Sequence, residues 1–398
     1  MPIKKFPTVM PTIYDKFQCK GGACRNTCCQ QWEIDITRAE YNKLRHRIKD
    51  EKMASFLSRL PHENATDRKY AIVNLTSDGY CPYLTDSKMC GMQLEYGYNT
   101  LPHICKIFPR IHQKISSDLY TYCLDTGCEA TLELLWENSK TGIQFKNELH
   151  EQISYSIFAD IQSGSIPSDY ITDIHNLCIW ILKNRSYSLS DRLIILGLAL
   201  QELQKIQDSA SVEQIPTWFM KWQTHTKGNS LAKSLEELKG NRPWFLLNNC
   251  KLLYLLSYVS PIKNLLSLLV KQVNLSYQNE SFSCDAEQYN LLDSQFMMRF
   301  PNIDNFFENY MILTIFRLNF PFQSASVWNS YLHLCSLYSL LRFVSVASGA
   351  ENPADLIDSL VYMSRSSLNV SNLFDFTVNH LQIFNSNSLA HMAILLRG

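Results

Sequence analysis

Glycine is scarce in this chain of 398 residues: 13 in all, well under the ~7% of an average protein. The shortage argues against a fold built on several Gly-rich phosphate loops. No Gly-x-Gly-x-x-Gly follows a strand-like run, and no P-loop, His-Glu-x-x-His helix or nucleophile elbow appears. Charge is also sparse. Asp, Glu, Lys and Arg make up 19%, and 37 basic residues balance 37 acidic ones. Without a basic excess, binding to a nucleic-acid backbone is not expected. A run of ~18 apolar residues, the minimum for a spanning helix, is absent. The best stretch, Leu252 to Val273, is broken by Pro261 and Lys263, so no membrane insertion is expected. The first fifteen residues hold two lysines with no apolar segment behind them, which predicts no secretory signal and a cytoplasmic protein.

Cysteine, by contrast, is plentiful. Of 13 in the chain, nine lie between Cys19 and Cys128, and Cys178, Cys250, Cys284 and Cys335 are scattered singly. In a reducing compartment such a cluster points to a metal site rather than a disulfide framework. Thiolates at this density serve soft metals, either zinc or the iron of an iron–sulfur cluster. Structural zinc favours paired knuckles two to four residues apart. Here Cys24-x3-Cys28 fits one, whereas Cys81, Cys90 and Cys105 stand alone at wide intervals, as suits a cubane that spreads its ligands. Cys28 and Cys29 are adjacent and would point to opposite sides of an extended chain, so only one is expected to face a given metal. The four scattered cysteines read as small buried hydrophobes, and His103, two residues before Cys105, as a loop histidine rather than a ligand.

The punctuation divides the chain. Residues 1–135 hold short segments with much of the Gly and Pro, predicting a small, irregular, cysteine-rich metal-binding module. Inside it Thr37-Arg38-Ala39-Glu40 is a capping box that starts a helix through Tyr41, Leu44 and Ile48, with a stop at Pro61. Residues 136–398 predict an all-helical domain, with helices over 193–206, 305–318, 327–343 and 355–364 and no Rossmann-type sheet. The third of these is expected to place Trp328, Tyr331, Leu332, Cys335 and Tyr338 on one stripe. Residues 163–169 interrupt the helices, and 274–285, lacking apolar periodicity, read as a surface loop. The fold class is therefore mainly α.

The run Phe17-Gln18-Cys19-x4-Cys24-x3-Cys28-Cys29-Gln30-Gln31-Trp32, with Ile34-Asp35 after it, resembles the start of the flagellin lysine-N-methylase family. Cys81-Pro82-Tyr83-Leu84, Cys90, Tyr96-Gly97, Leu101-Pro102-x2-Cys105, Phe108-Pro109-Arg110 and Cys128-Glu129-Ala130 continue the match. In the helical half Glu308-Asn309-Tyr310, Phe316-Arg317 and Phe320-Pro321-Phe322 extend it. The cysteine elements also resemble a broader group of small zinc- or iron-chelating proteins. The resemblance implies a cytoplasmic enzyme that moves a methyl group from S-adenosylmethionine to lysine ε-amines of flagellin, with a 4Fe–4S cluster on N-terminal cysteines. Eight cysteines match the pattern, namely Cys19, Cys24, Cys28, Cys29, Cys81, Cys90, Cys105 and Cys128, and four of these are expected as ligands. Cys123 is extra.

Methyl transfer to an amine needs a neutral lysine, whose free pKa is ~10.4, and a site for a sulfonium cation, which aromatic faces and carboxylates bind well. Glu308, Asn309, Tyr310 and Arg317 are the donor-binding candidates, Arg317 as partner for the carboxylate of the methionine moiety. No catalytic base is identifiable. The alternative is a metal carrier or maturation factor that uses the cysteine module without methyl transfer; a thiol-based redox sensor is a third reading.

Overall fold

The computed structural model describes residues 5–30, 34–67, 69–115, 119–151, 157–158, 161–225, 227–259, 263–278, 281–368 and 373–398. Trp32 and Pro261 lie outside these. In chain order the strands are β1 (Lys5–Pro11), β2 (Asp35–Ile36), β3 (Leu57–Arg59), β4 (Ala71–Val73), β5 (Arg110–Lys114), β6 (Tyr120–Leu124), β7 (Phe145–Glu151), β8 (Ile157–Phe158), β9 (Ser276–Gln278) and β10 (Ser281–Ser283). Helices dominate everything else, so the fold is mainly α.

The larger sheet runs β7-β1-β6-β5-β8. β1 pairs with β6 in parallel, Thr8 opposite Tyr120, and antiparallel with β7, Thr8 opposite Glu148. This mixed sheet is not the doubly wound parallel type. β6 is buried along its whole length, and helix Ile303–Leu318 packs on it. The smaller sheet, β2-β4-β3, covers a second apolar cluster that includes Ile36, Leu44, Met53, Phe56 and Tyr83.

The capping box forms as expected. Thr37 Oγ1 accepts from Glu40 N at 3.2 Å, and Glu40 Oε2 accepts from Thr37 N at 3.0 Å. The helix it starts ends at Arg47, well short of Pro61. Ile48 turns extended and buries its side chain, and Asp50 caps a second helix, Glu51–Phe56, by accepting from Met53 N at 2.8 Å. A local cap thus outcompetes continuation of the helix.

In the helical part the expected elements appear as helices Leu189–Asp208, Ile303–Leu318, Val327–Ala347 and Pro353–Leu368. Burial of Val327–Ala347 extends far beyond one stripe: nearly every side chain along it is enclosed. Helices Leu189–Asp208, Arg242–Val259, Ala286–Arg299, Pro353–Leu368, Leu373–Ile383 and Leu389–Leu396 surround it, and a helix enclosed in this way is apolar all round. Within 274–285, Ser276–Gln278 and Ser281–Ser283 are not a plain loop but pair antiparallel as β9 and β10. Tyr277 sits opposite Phe282, with ring centroids 5.6 Å apart, and Tyr254 stacks on Tyr277. Aromatic cross-strand pairing supplies what periodicity did not show. Among the described residues no helix is long and apolar enough to cross a membrane.

Candidate functional site

Turns and short helices, each held by main-chain bonds, carry the cysteines. Cys24 ends the 3-10 turn Gly21–Ala23, its N–H donating to Gly21 O at 3.1 Å. Cys28 and Cys29 lie in the next turn, and Cys81 N donates to Cys29 O at 2.8 Å. Cys90 precedes helix Gly91–Tyr96, Cys105 sits within helix His103–Ile107, and Cys128 precedes helix Glu129–Glu137. Glu40 of the capping box reaches across to accept from His103 N at 2.6 Å, which fixes the Cys105 helix to the first one. Asp50 accepts from Tyr83 at 2.8 Å and Tyr96 at 2.9 Å, tying down the segments beside Cys81 and Cys90.

All eight cysteines of the motif line one chamber of about 330 Å³. Phe17, Phe56, Tyr83, Met92 and Phe108 supply much of its apolar wall. Cys105 is surrounded by protein yet keeps accessible surface, and that surface faces the chamber. Cys123 is absent from the wall. It is buried on β6 in the main core, as are Cys178, Cys250 and Cys335 in their helices; the Cys250 thiol also shares a hydrogen bond with that of Cys284. One expectation needs correction. Cys28 and Cys29 do not face opposite ways; a turn rather than an extended chain holds them, both border the chamber, and their free thiols are hydrogen-bonded to each other.

The chamber does not favour isolated thiolates. Burial, with Glu129 close by, pushes the Cys24 thiol up to about 12. Burial likewise lifts Cys128 to about 11 and raises Cys90. Cys105 is raised by burial and by its neighbours Cys29, Cys28 and Cys90. For Cys28 the bond with Cys29 and burial act together. At Cys29 the bond from Cys28 favours the thiolate, but the bond with Cys81 and burial outweigh it, giving about 12. Such thiols ionise when a metal takes the proton's place.

Charged groups brace the wall. Glu129 is fully buried and accepts from Lys20 Nζ at 2.5 Å and from Asn26 N at 2.8 Å. Burial opposes its charge, but these bonds and Arg25 hold its carboxyl below the usual range. Arg365, 2% exposed, reaches in from helix Pro353–Leu368 and lines the chamber. Its guanidinium donates to the carbonyl oxygens of Asn26, Thr27, Gln30 and Gly127 at 2.8, 3.0, 3.2 and 2.9 Å.

Eight thiols border the chamber, and thiolates are donors for zinc and for iron–sulfur clusters alike. Among the described residues no three Cys, His, Asp or Glu side chains are grouped closely enough to hold one metal ion.

The helical candidates are engaged elsewhere, and none of the four borders the chamber. Glu308, 1% exposed, accepts from Arg185 Nε at 2.9 Å and Arg192 Nη1 at 2.5 Å. Asn309 accepts from Ile143 N at 3.0 Å and donates to Leu135 O at 3.0 Å. Tyr310 shares a 2.7 Å bond with Ser364, next to Arg365. Arg317 pairs with Asp125 at 3.2 Å and thereby grips the turn that presents Cys128. The residue overlooked in the sequence is Arg365, and its signal was a lone arginine four residues after buried Val361 on the apolar stripe of a helix.

The geometry defines a class: a mainly helical protein with one chamber walled by eight thiols. The FliB lysine N-methylase C-terminal domain model matches residues 175–395, more than half of the chain, and the chain belongs to that family. "Lysine-N-methylase" of Salmonella typhimurium is 27% identical over 119 residues, 29% of this chain and 29% of that protein. The protein of the same name from Salmonella choleraesuis gives the same figures. "Flagellar biosynthetic protein FliU" of Salmonella muenchen is 26% identical over 133 residues, 29% of this chain and 70% of that protein. The chain thus spans about 29% of the length of the two lysine-N-methylases it matches. No solved structure matches.

Proposed function

We propose that the protein is a lysine N-methyltransferase that moves the methyl group of S-adenosylmethionine to ε-amines of flagellin, with a 4Fe–4S cluster held by four of Cys19, Cys24, Cys28, Cys29, Cys81, Cys90, Cys105 and Cys128. Membership of the FliB lysine N-methylase family supports the activity. The observation that carries the cluster is the convergence of the eight motif cysteines, and not Cys123, on one chamber. When bound, the cluster would supply a compact, electron-rich thiolate–iron centre that staples the loops around it.

The chain's own residues do the remaining work. A lysine attacks a sulfonium methyl only as the neutral amine. An apolar wall removes water from an ammonium and so lowers its pKa, and like charges push the same way. Phe17, Tyr83 and Phe108 provide the first effect, and Lys88, Lys106 and Arg110, all bordering the chamber, the second. The same aromatic faces suit a sulfonium cation. Amine and donor would thus meet in a site that excludes water.

Anaerobic purification followed by iron and sulfide analysis, calorimetry with S-adenosylmethionine, and mass spectrometry of flagellin tests the proposal. Iron and sulfide in equal amounts, donor binding and +14 Da increments on lysines are expected. Iron without donor binding or methylation would overturn the enzyme in favour of a metal carrier. A single zinc, or no metal, would overturn the cluster.

A further inference from the structure

A buried arginine whose bonding partners are all neutral needs explaining. Four N–H directions of Arg365 end on carbonyl oxygens, which satisfy hydrogen bonding but carry no charge. Taking a cation out of water costs several kcal/mol unless an anion compensates. Arg365 borders the same chamber as the thiols of Cys28, Cys128 and Cys24, and the carboxylate that acts on it is that of Asp125. Asp125 is already paired with Arg317 and also accepts from Gly127 N at 2.7 Å. The compensating charge therefore belongs on the sulfur side of the chamber.

The bonding also has a mechanical meaning. Asn26, Thr27 and Gln30 flank Cys28 and Cys29, and Gly127 precedes Cys128. One planar fork thus joins two cysteine-bearing loops about a hundred residues apart in sequence. A lysine could supply the charge but not the spread of donors.

We propose that Arg365 is the positioning residue of the thiol chamber: it locks the Cys28–Cys29 turn to the Cys128 turn and provides the countercharge for a metal–thiolate centre there. This rests on the chamber holding iron, as proposed above. A fixed positive charge stabilises the more negative, reduced state of such a centre and so raises its potential. A purely structural staple would leave the potential unchanged.

The test compares the full-length wild-type protein with Arg365→Lys and Arg365→Gln, purified anaerobically. It reads iron and sulfide per chain, the rate of iron loss to a chelator, and the reduced-to-oxidised ratio in a redox titration. Arg365→Gln should lower that ratio about tenfold at fixed ambient potential, which is 59 mV for a one-electron couple. Arg365→Lys, keeping the charge without the clamp, should hold a near-wild-type potential but lose iron about tenfold faster. An unchanged potential in Arg365→Gln overturns the countercharge, and unchanged iron loss in Arg365→Lys overturns the clamp. If Arg365→Gln does not fold, Arg365→Met, which removes the charge at similar length, takes its place: a reduced-to-oxidised ratio lowered about tenfold supports the countercharge and an unchanged ratio overturns it, while Arg365→Lys still decides the clamp through iron loss. Wild-type protein without iron refutes the cluster itself, a result distinct from variants that merely match the wild type.

Discussion

Replacing Glu308 by alanine should be among the most damaging single changes in the helical body. The carboxylate is 1% exposed and accepts from Arg185 Nε and Nη2, both at 2.9 Å, and from Arg192 Nη1 at 2.5 Å. Arg185 is partly exposed, so water would replace its lost partner and its share is small. Arg192 is not so placed. Its side chain is 3% exposed, and after the substitution its named partners would be the carbonyls of Leu182 and Ser188. Breaking a buried pair in this way costs about 3–5 kcal/mol. With ~2.1 cal/mol/K of unfolding entropy per residue, a chain of 398 residues melting as one unit loses roughly 1 °C per kcal/mol, so Tm should fall by about 4–6 °C. The assay is calorimetric melting of Glu308→Ala, Arg192→Met and the double variant. The double variant should recover most of the loss, since no charge is left stranded. A drop below about 1 °C for Glu308→Ala, or a double variant as unstable as the sum of the singles, would refute the reasoning.

Acid should destabilise the fold through its buried histidines. Burial holds His333 down at about 4, and burial together with Arg110 does the same for His112. The unfolded chain binds these protons near pH 6.5 and the native state only near 4. Stability is therefore full above 6.5 and falls through that window as pH drops, by up to ~1.4 kcal/mol per pH unit for each histidine. Urea titrations of wild type and His333→Leu between pH 4.5 and 7.5 should show a shallower slope in the variant. Gly197→Ala should destabilise by about 1–3 kcal/mol, because a Cβ there would lie 2.3 Å from the Tyr331 hydroxyl and 2.7 Å from a Leu389 methyl; a neutral melting shift would contradict that close packing. Cys123→Ser should retain wild-type iron content, whereas four of the eight chamber cysteines should abolish it when changed singly. Iron loss in Cys123→Ser without a loss of folding would contradict the placement of the chamber.

Features encoded within a few residues were legible in the sequence. The Thr37–Glu40 capping box, the helix centres and the burial of Cys178 and Cys335 depend on side chains three or four positions apart. The distinction between Cys123 and its neighbours came from the family resemblance and not from local spacing, since Cys123 and Cys128 stand five apart, as Cys19 and Cys24 do. What escaped depends on distant or competing contacts. Asp50 ended a helix early because its carboxylate also serves Tyr83 and Tyr96. Cys28 and Cys29 share a chamber because Arg365, far along the chain, holds their turn. Tyr310 and Arg317 were legible as special residues, but not their partners, Ser364 for Tyr310 and the turn at Asp125 for Arg317. The parallel pairing of β1 with β6 joins segments with no local signal of each other.

The Arg365 clamp also sets a timetable. Its arginine is synthesised long after the loop it fastens. At ~5–20 residues per second, roughly 17–67 s separate the emergence of Gln30 from that of residue 365. During that interval the segment carrying Cys28 and Cys29 has been made without its fastening, so any metal proposed for the chamber would meet thiols not yet held in place. Once Arg365 docks on the carbonyls of Asn26, Thr27, Gln30 and Gly127, the last-made part of the chain sets the spacing of the first.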